Sequence, residues 1–232
     1  MAAVTENEIT CLYGTADAFA LVAAAFTYPT AELCHALADG SFSSDLRGSL
    51  SDMGMESGLV DSLCERFDAA VAGKTADDLF AEMRPEYTVL YYGPGEYRKI
   101  YPYESVYRKL QINPQGRATV FVTKSTHDVE RSMKRRGAMP EDARREPADF
   151  FATELDFMRH LYTGIAAASL EGEGVESWQG ETSDFLSKHV ESWIPSLLRE
   201  TGEVTELEIY RVFADIGNAV IEQVRETDTT GR

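Results

Sequence analysis

Apolar residues recur at steps of three and four residues along most of this 232-residue chain, and that spacing is the period of an α-helix with one buried face. Only one short run, TVFVT at 119–123, has the composition of a β-strand. A single isolated strand cannot form a sheet, because its backbone groups need a neighbouring strand as a partner. The spacing therefore predicts an all-α protein.

Capping residues indicate where the helices begin. Thr5 with Glu8, and Thr75 with Asp78, fit the capping box, in which a hydroxyl and an acid three residues later satisfy the first N–H groups of a helix. Pro147 suits a first helical turn and is expected to open a long helix. The segments predicted to be helical are 6–26, 30–38, 59–72, 76–84, 87–92, 125–136, 147–169, 182–199 with a bend at Pro195, and 205–226.

Length and apolar content predict one large domain or two small ones, since 44% of the residues are hydrophobic. Taken as one domain over 1–232, the chain has an N-terminal part at 1–107, a connector at 108–146 and C-terminal helices at 147–226. The longest unbroken apolar run, 18–26, has nine residues, whereas a membrane-spanning helix needs about 20. The first ten residues contain no Lys or Arg, unlike a secretory signal. A cytoplasmic protein without membrane insertion is therefore expected.

The chain is strongly acidic, with 39 Asp and Glu against 22 Lys and Arg and a net charge of −17. Such a charge repels a nucleic-acid backbone and favours a cationic partner, so no nucleic-acid partner is expected. The distribution is uneven, because residues 98–145 hold 12 basic and 5 acidic residues. This basic stretch is either neutralised inside the fold or forms a connector with a role in binding.

No catalytic or metal-binding signature stands out. Phosphate-binding glycine loops, HExxH, GxSxG and CxxC are all absent. The cysteines and histidines are scattered singly, at Cys11, Cys34, Cys64, His35, His127, His160 and His189. We therefore expect reduced, mostly buried thiols, no disulfide, no metal site, no cofactor and no catalytic activity.

One acid in the helix predicted from Pro147 falls on the apolar side. At 100° per residue, Glu154 projects between Leu161 and Ile165. A buried carboxylate needs hydrogen bonds, a cationic partner or a proton. Two interpretations stay open: a salt bridge to an arginine of another helix, or a carboxylate at the floor of a groove that receives a cationic guest. An acid–base pair with Asp149 is a weaker alternative, because about 140° of helix projection separate the two.

The start of the same helix carries further acids. Glu146 and Asp149 lie where the helix dipole favours negative charge. Asp149 projects on the polar side of the helix, next to Phe150, which is expected to be exposed. Together with Glu154 these side chains compose a site for an arginine with apolar neighbours.

Tyrosines are dense in EYTVLYYGPG at 86–95 and YPYESVY at 101–107. Such side chains supply rigid, amphipathic surface that binds peptides, or they seal loops onto a core. In order and interval, these two segments and EPADFFATELDFM at 146–158 resemble the TorD/DmsD family, the cytoplasmic chaperones that mature molybdoenzymes.

The resemblance implies an all-α, single-domain bundle of about ten helices without catalysis of its own. Members bind the twin-arginine leader and the apo-form of a molybdopterin oxidoreductase, assist cofactor insertion and delay export. An all-helical interaction adaptor without a leader-binding role is the alternative. By position, the leader site would comprise Tyr91, Pro102, Tyr103, Ser105, Tyr107, Asp149 and Phe150, supported by Glu146, Pro147 and Glu154. Phe150 stands where the family has His, and the connector is long enough for a domain-swapped dimer as well as a monomer.

Overall fold

The computed structural model describes residues 4–93, 100–115, 123–139 and 147–230, without the side chains of 228–230. These residues form eleven α-helices and contain no β-strand, so the prediction of an all-α protein is confirmed. The helices are Glu6–Ala25 (α1), Ala31–Asp39 (α2), Ser41–Asp52 (α3), Ser57–Val71 (α4), Ala76–Tyr87 (α5), Glu104–Ile112 (α6), Lys124–Arg135 (α7), Phe151–Glu171 (α8), Val175–Phe185 (α9), Ile194–Val204 (α10) and Glu208–Thr230 (α11). Most of the strand-like run at 119–123 lies outside the described residues.

Capping residues set several of these boundaries. Thr5 caps α1 and Thr75 caps α5, each in a capping box with the acid three residues later, as predicted. Gly40 ends α2 in the left-handed conformation, with φ of 84°. Thr123 caps α7, which begins at Lys124, one residue before the predicted start at 125.

Two helices were not predicted. α3, SFSSDLRGSLSD, is rich in serine and contains a glycine, residues that do not favour a helix by themselves. Its Phe42, Leu46 and Leu50 are nevertheless buried on one face. α6 lies in the tyrosine-rich stretch and buries Val106 and Tyr107. In both cases burial of an apolar face outweighs local propensity.

α8 begins at Phe151, four residues later than predicted. The residues before it form a turn, in which the Phe150 N–H donates to the Pro147 carbonyl oxygen at 3.2 Å. Pro147 therefore precedes the helix instead of opening it. The helical projection consequently does not apply to side chains between Pro147 and Phe150.

The predicted helix at 182–199 is divided. α9 ends at Phe185, a π-helical turn covers Leu186–Val190, and α10 begins at Ile194. Pro195 lies in the first turn of α10, where its missing N–H costs no helical hydrogen bond. A second π-helical turn, Thr88–Tyr92, continues α5.

Buried apolar side chains from all eleven helices form one cluster. α1 lies within it and packs against α3, α8 and α11. By length and composition α1 would also suffice to cross a membrane, but eight of its residues are buried in the protein. Those contacts are typical of a core helix, whose composition is equally apolar.

Candidate functional site

Two of the segments singled out in the sequence fold onto each other. The loop at 100–107 and the turn at 147–151, together termed the loop–turn unit, meet where Tyr103 and Phe150 form an antiparallel bridge. Two backbone hydrogen bonds flank this bridge, from Glu104 N–H to Asp149 O at 2.9 Å and from Phe151 N–H to Pro102 O at 3.0 Å. Residues more than 40 positions apart in sequence are thereby held as one structure.

Asp149 is 1% exposed, and its carboxylate faces the loop–turn unit. The Ser105 N–H donates to Asp149 Oδ2 at 3.0 Å, while Oδ1 has no hydrogen-bond partner among the described residues. The prediction that Asp149 lies on the polar side of a helix is therefore wrong. The prediction of an exposed Phe150 is also wrong, because that ring is 6% exposed and packs on Phe151 at 5.2 Å between centroids. Both errors follow from the late start of α8.

The remaining residues implied by the resemblance differ in exposure. The buried ones are Tyr91, Pro102 and Tyr107, and those that reach the surface in part are Tyr103, Ser105 and Pro147. The Tyr91 hydroxyl forms a 2.8 Å hydrogen bond with the Thr201 hydroxyl, and burial raises the pKa of Tyr91. Glu146 lies outside the described residues.

A row of aromatic rings leads from the loop–turn unit to the surface beyond α5. Successive ring centroids lie 5.0 to 5.8 Å apart in the order Tyr103, Phe150, Phe151, Tyr91, Tyr87 and Tyr28. At its far end Tyr28 and Tyr92 are 40% and 47% exposed, with 6.4 Å between their centroids. This aromatic row ends in a surface on which apolar side chains of a peptide can pack.

Glu154 is fully buried, as the periodicity predicts. Its Oε2 accepts a hydrogen bond from the Trp193 indole N–H at 3.0 Å, and Oε1 has no hydrogen-bond partner among the described residues. Burial raises the pKa of Glu154 well above its usual range, and the neighbouring Glu104 raises it further. The predicted salt bridge to an arginine is wrong within the described part of the chain, where Arg108 pairs with Glu104 instead.

Glu104 and His189 join Glu154 in the same buried place. Glu104 is 0% exposed, and its carboxylate accepts from Arg108 Nη1 at 2.6 Å and from His189 Nδ1–H at 2.9 Å. His189 lies in the π-helical turn Leu186–Val190 and is 7% exposed. One ligand atom from each of the three lies within 4.8 Å of the others. We term Glu104, Glu154 and His189 the buried triad.

Sequence reasoning singled out only one member of the buried triad. Glu154 interrupts an apolar periodicity, which is a visible signal, but Glu104 belongs to an unpredicted helix and His189 to a π-helical turn. Asp149 and Glu154 are both enclosed, so this arrangement does not favour the alternative of an acid–base pair acting on an external substrate.

The part of the chain that contains these segments matches a known protein family. The family model described as the nitrate reductase delta subunit matches residues 56–199, which contain the loop–turn unit and the buried triad. The TorD chaperone of Vibrio parahaemolyticus is 24% identical over 173 residues, covering 74% of this chain and 76% of the relative. The TorD chaperone of Vibrio atlanticus is 24% identical over 164 residues, covering 71% and 72%.

A third relative, the TorD chaperone of Vibrio cholerae, is 28% identical over 123 residues, about half of each chain. No solved structure matches the chain significantly. Because the family model covers more than half of the chain and the relatives carry the name TorD, the chain belongs to the TorD-like nitrate reductase delta subunit family.

Proposed function

We propose that this protein is a cytoplasmic maturation chaperone. It binds the twin-arginine leader and the apo-form of a molybdopterin oxidoreductase, assists insertion of the cofactor, delays export and catalyses no reaction itself. The observation that carries the proposal is the family match over 56–199. The names of the relatives, which are chaperones, support it.

The exposed part of the loop–turn unit suits the arginine pair of such a leader. Tyr103, Ser105 and Pro147 reach the surface there, above the buried carboxylates of Glu104 and Asp149. Negative charge behind a partly apolar surface attracts a guanidinium, which stacks on aromatic rings as well as pairing with acids. Asp149 is too enclosed for direct contact in this conformation, so we assign it a positioning role through its bond to Ser105.

The aromatic row supplies a surface for the apolar stretch that follows the arginines in a leader. Tyr28 and Tyr92 are the exposed end of this row, and Tyr91 and Phe150 hold it to the loop–turn unit. The row of rings joins the two surfaces, and a leader that contacts both would extend about 3.3 Å per residue between them.

Calorimetry at low salt tests the proposal. The probe is a twin-arginine leader peptide of a molybdopterin oxidoreductase from the same organism, with its arginine pair intact or replaced by lysines. We expect binding to the intact peptide and about tenfold weaker binding by Tyr103→Ala, since a contacting tyrosine contributes more than 1 kcal/mol. Tyr13→Ala, on an exposed tyrosine of α1, is the matched control and is expected to bind normally.

Affinity purification with mass spectrometry tests whether the protein binds a complete oxidoreductase in its own cells. A co-eluting molybdopterin oxidoreductase that retains its leader supports the proposal. If the full-length protein binds neither the leader nor the apo-enzyme, the proposal fails. A co-eluting partner of another class would favour the interaction adaptor instead.

A further inference from the structure

The buried triad has too little positive charge for its acids. Glu104, Glu154 and Asp149 place three carboxylates in the interior, and Arg108 pairs with Glu104 and acts on Glu154. Glu154 Oε1 points to no hydrogen-bond donor within the described residues although the side chain is 0% exposed. A buried carboxylate oxygen without a partner is costly, so this position calls for a proton or a cation.

We propose that the buried triad is a binding site for a divalent transition-metal ion of the Zn²⁺ class. Glu104 and Glu154 each supply a carboxylate oxygen, and His189 supplies a ring nitrogen. An imidazole with two carboxylates suits Zn²⁺, which takes three protein ligands and a water or fourth ligand. A fully buried site does not suit Mg²⁺, which retains several water molecules.

The distances are compatible with this assignment. His189 Nδ1 and Glu104 Oε2 are 2.9 Å apart, and neighbouring ligand atoms around tetrahedral zinc are roughly 3.4 Å apart at bond lengths of about 2.1 Å. The ion would take the place of the proton that these two atoms share. Glu154 then needs to approach by a small side-chain movement, because the three ligand atoms already lie within 4.8 Å of one another.

Outer-shell contacts hold the carboxylates in place. Trp193 donates its indole N–H to Glu154 Oε2 at 3.0 Å, and Arg108 donates to Glu104 Oε1 at 2.6 Å. Each carboxylate thereby retains one oxygen for the metal, which is how outer-shell groups orient ligands in metal sites. Metal content and leader affinity are separate measurements, so failure of this site and failure of the proposed leader binding are distinguishable.

An ion can enter from a groove of 420 Å³ that borders Glu104, Arg108 and His189. Its rim also carries Lys124 and Asp128, together with Lys188, which pairs with Asp184 at 2.8 Å. The rim therefore carries charges of both signs.

Metal content of the full-length protein tests the site. The protein is stripped with a chelator, dialysed against Zn²⁺ and analysed by mass spectrometry, with circular dichroism to verify folding. We expect one zinc per chain, and affinity lower by about tenfold or more in Glu154→Gln and His189→Gln. His127→Gln is the matched control, because His127 forms a surface pair with Glu130 at 3.7 Å and offers an adventitious site.

Absence of stoichiometric zinc in the folded wild-type protein overturns the proposal. Zinc that persists in Glu154→Gln and His189→Gln but is lost in His127→Gln overturns it as well. If the buried variants do not fold, X-ray absorption of the zinc-loaded wild-type protein decides. A shell of nitrogen and oxygen at about 2.0–2.2 Å with one imidazole is expected, and a sulfur ligand would contradict it.

Discussion

Asp149 holds the loop–turn unit together through its side chain. It is 1% exposed and accepts the Ser105 N–H at 3.0 Å. Without that acceptor the part-buried Ser105 N–H loses this hydrogen bond, at a cost of about 0.5–1.5 kcal/mol. Asp149→Ala is therefore expected to lower the free energy of unfolding by this amount in urea denaturation. Asp149→Asn keeps an acceptor oxygen and is expected to lose less.

Asp156 offers a matched control in α8, the helix that follows this turn. It is exposed on α8 and pairs with Arg159 one turn away, a surface contact that contributes little to stability. Asp156→Ala is expected to leave the urea midpoint nearly unchanged. Equal midpoints for Asp149→Ala and Asp156→Ala would mean that the Asp149 carboxylate does not hold the unit.

The stability of the fold is expected to depend on pH through Glu200, which lies next to Tyr107. Burial raises the pKa of Glu200, although its hydrogen bond with Tyr107 opposes the rise. The folded protein therefore holds the proton of the Glu200 carboxyl more tightly than the unfolded chain does. The stability that this proton contributes is complete below the unfolded pKa of Glu200 and is lost as pH rises through its folded pKa. Glu200→Gln should therefore match wild type near pH 4 and exceed it near pH 7 in thermal unfolding. If Glu200→Gln stabilised the protein more near pH 4 than near pH 7, this prediction would be contradicted.

The burial of Glu154 could be predicted from the sequence, whereas its partners could not. The helical period alone shows which face of a helix a side chain lies on, and it places Glu154 among apolar side chains. Trp193, His189 and Glu104 lie 35 to 50 residues from Glu154 in the sequence. Contacts at that separation depend on how helices pack, which no local pattern specifies.

At the scale of elements, the π-helical turn Leu186–Val190 directs His189 into the protein. The Glu191 N–H donates to the Leu186 carbonyl oxygen at 2.8 Å, five residues back rather than four. The extra residue rotates everything that follows by about 100°. A constant rotation of 100° per residue therefore predicts one helix at 182–199 and gives the wrong direction for the His189 side chain. The late start of α8 has a similar effect on Asp149.

The crossing of α1 and α3 is close enough to require glycine. A Cβ on Gly14 would lie 2.5 Å from Asp52 Cβ and 2.7 Å from the Met53 backbone nitrogen. Because backbone atoms cannot move aside cheaply, Gly14→Ala is expected to lower the free energy of unfolding by about 1–3 kcal/mol. The measurement is urea denaturation.

Gly48 provides the control for this crossing. It lies in α3 with no atom within 4 Å of an added Cβ. Alanine there reduces the entropy lost on folding, so Gly48→Ala is expected to stabilise by about 0.5–1 kcal/mol. Stabilisation in both variants would show that α1 and α3 do not approach as closely as described.

At the scale of the whole molecule, the basic stretch at 98–145 is neutralised inside the fold where the structure describes it. Arg135 pairs with Glu181 of α9 at 2.6 Å, and Arg136 lies over the Trp178 ring at 4.1 Å. α7 is therefore docked on α9 rather than extended into solvent. Of the two interpretations of this stretch, internal neutralisation agrees with these contacts.

A core shared by all helices implies that they unfold together. Cys34 and Cys64, in the N-terminal part, are 0% exposed and belong to the same apolar cluster as Trp193 in the C-terminal helices. Burial raises the pKa of both thiols, so neither is poised to react with a disulfide reagent. Cys11 is only half-buried and is expected to react first.

A Cys11→Ser, Trp178→Phe variant tests the single domain expected over 1–232, because it leaves only the two buried thiols and one tryptophan as probes. Thiol labelling then reports opening around Cys34 and Cys64, and fluorescence reports unfolding around Trp193. If one core holds both parts, the free energy of opening from labelling rates equals the free energy of unfolding at every urea concentration. A lower value at the thiols would mean that the N-terminal part opens while the C-terminal helices stay folded, and the chain would then comprise two cooperative units.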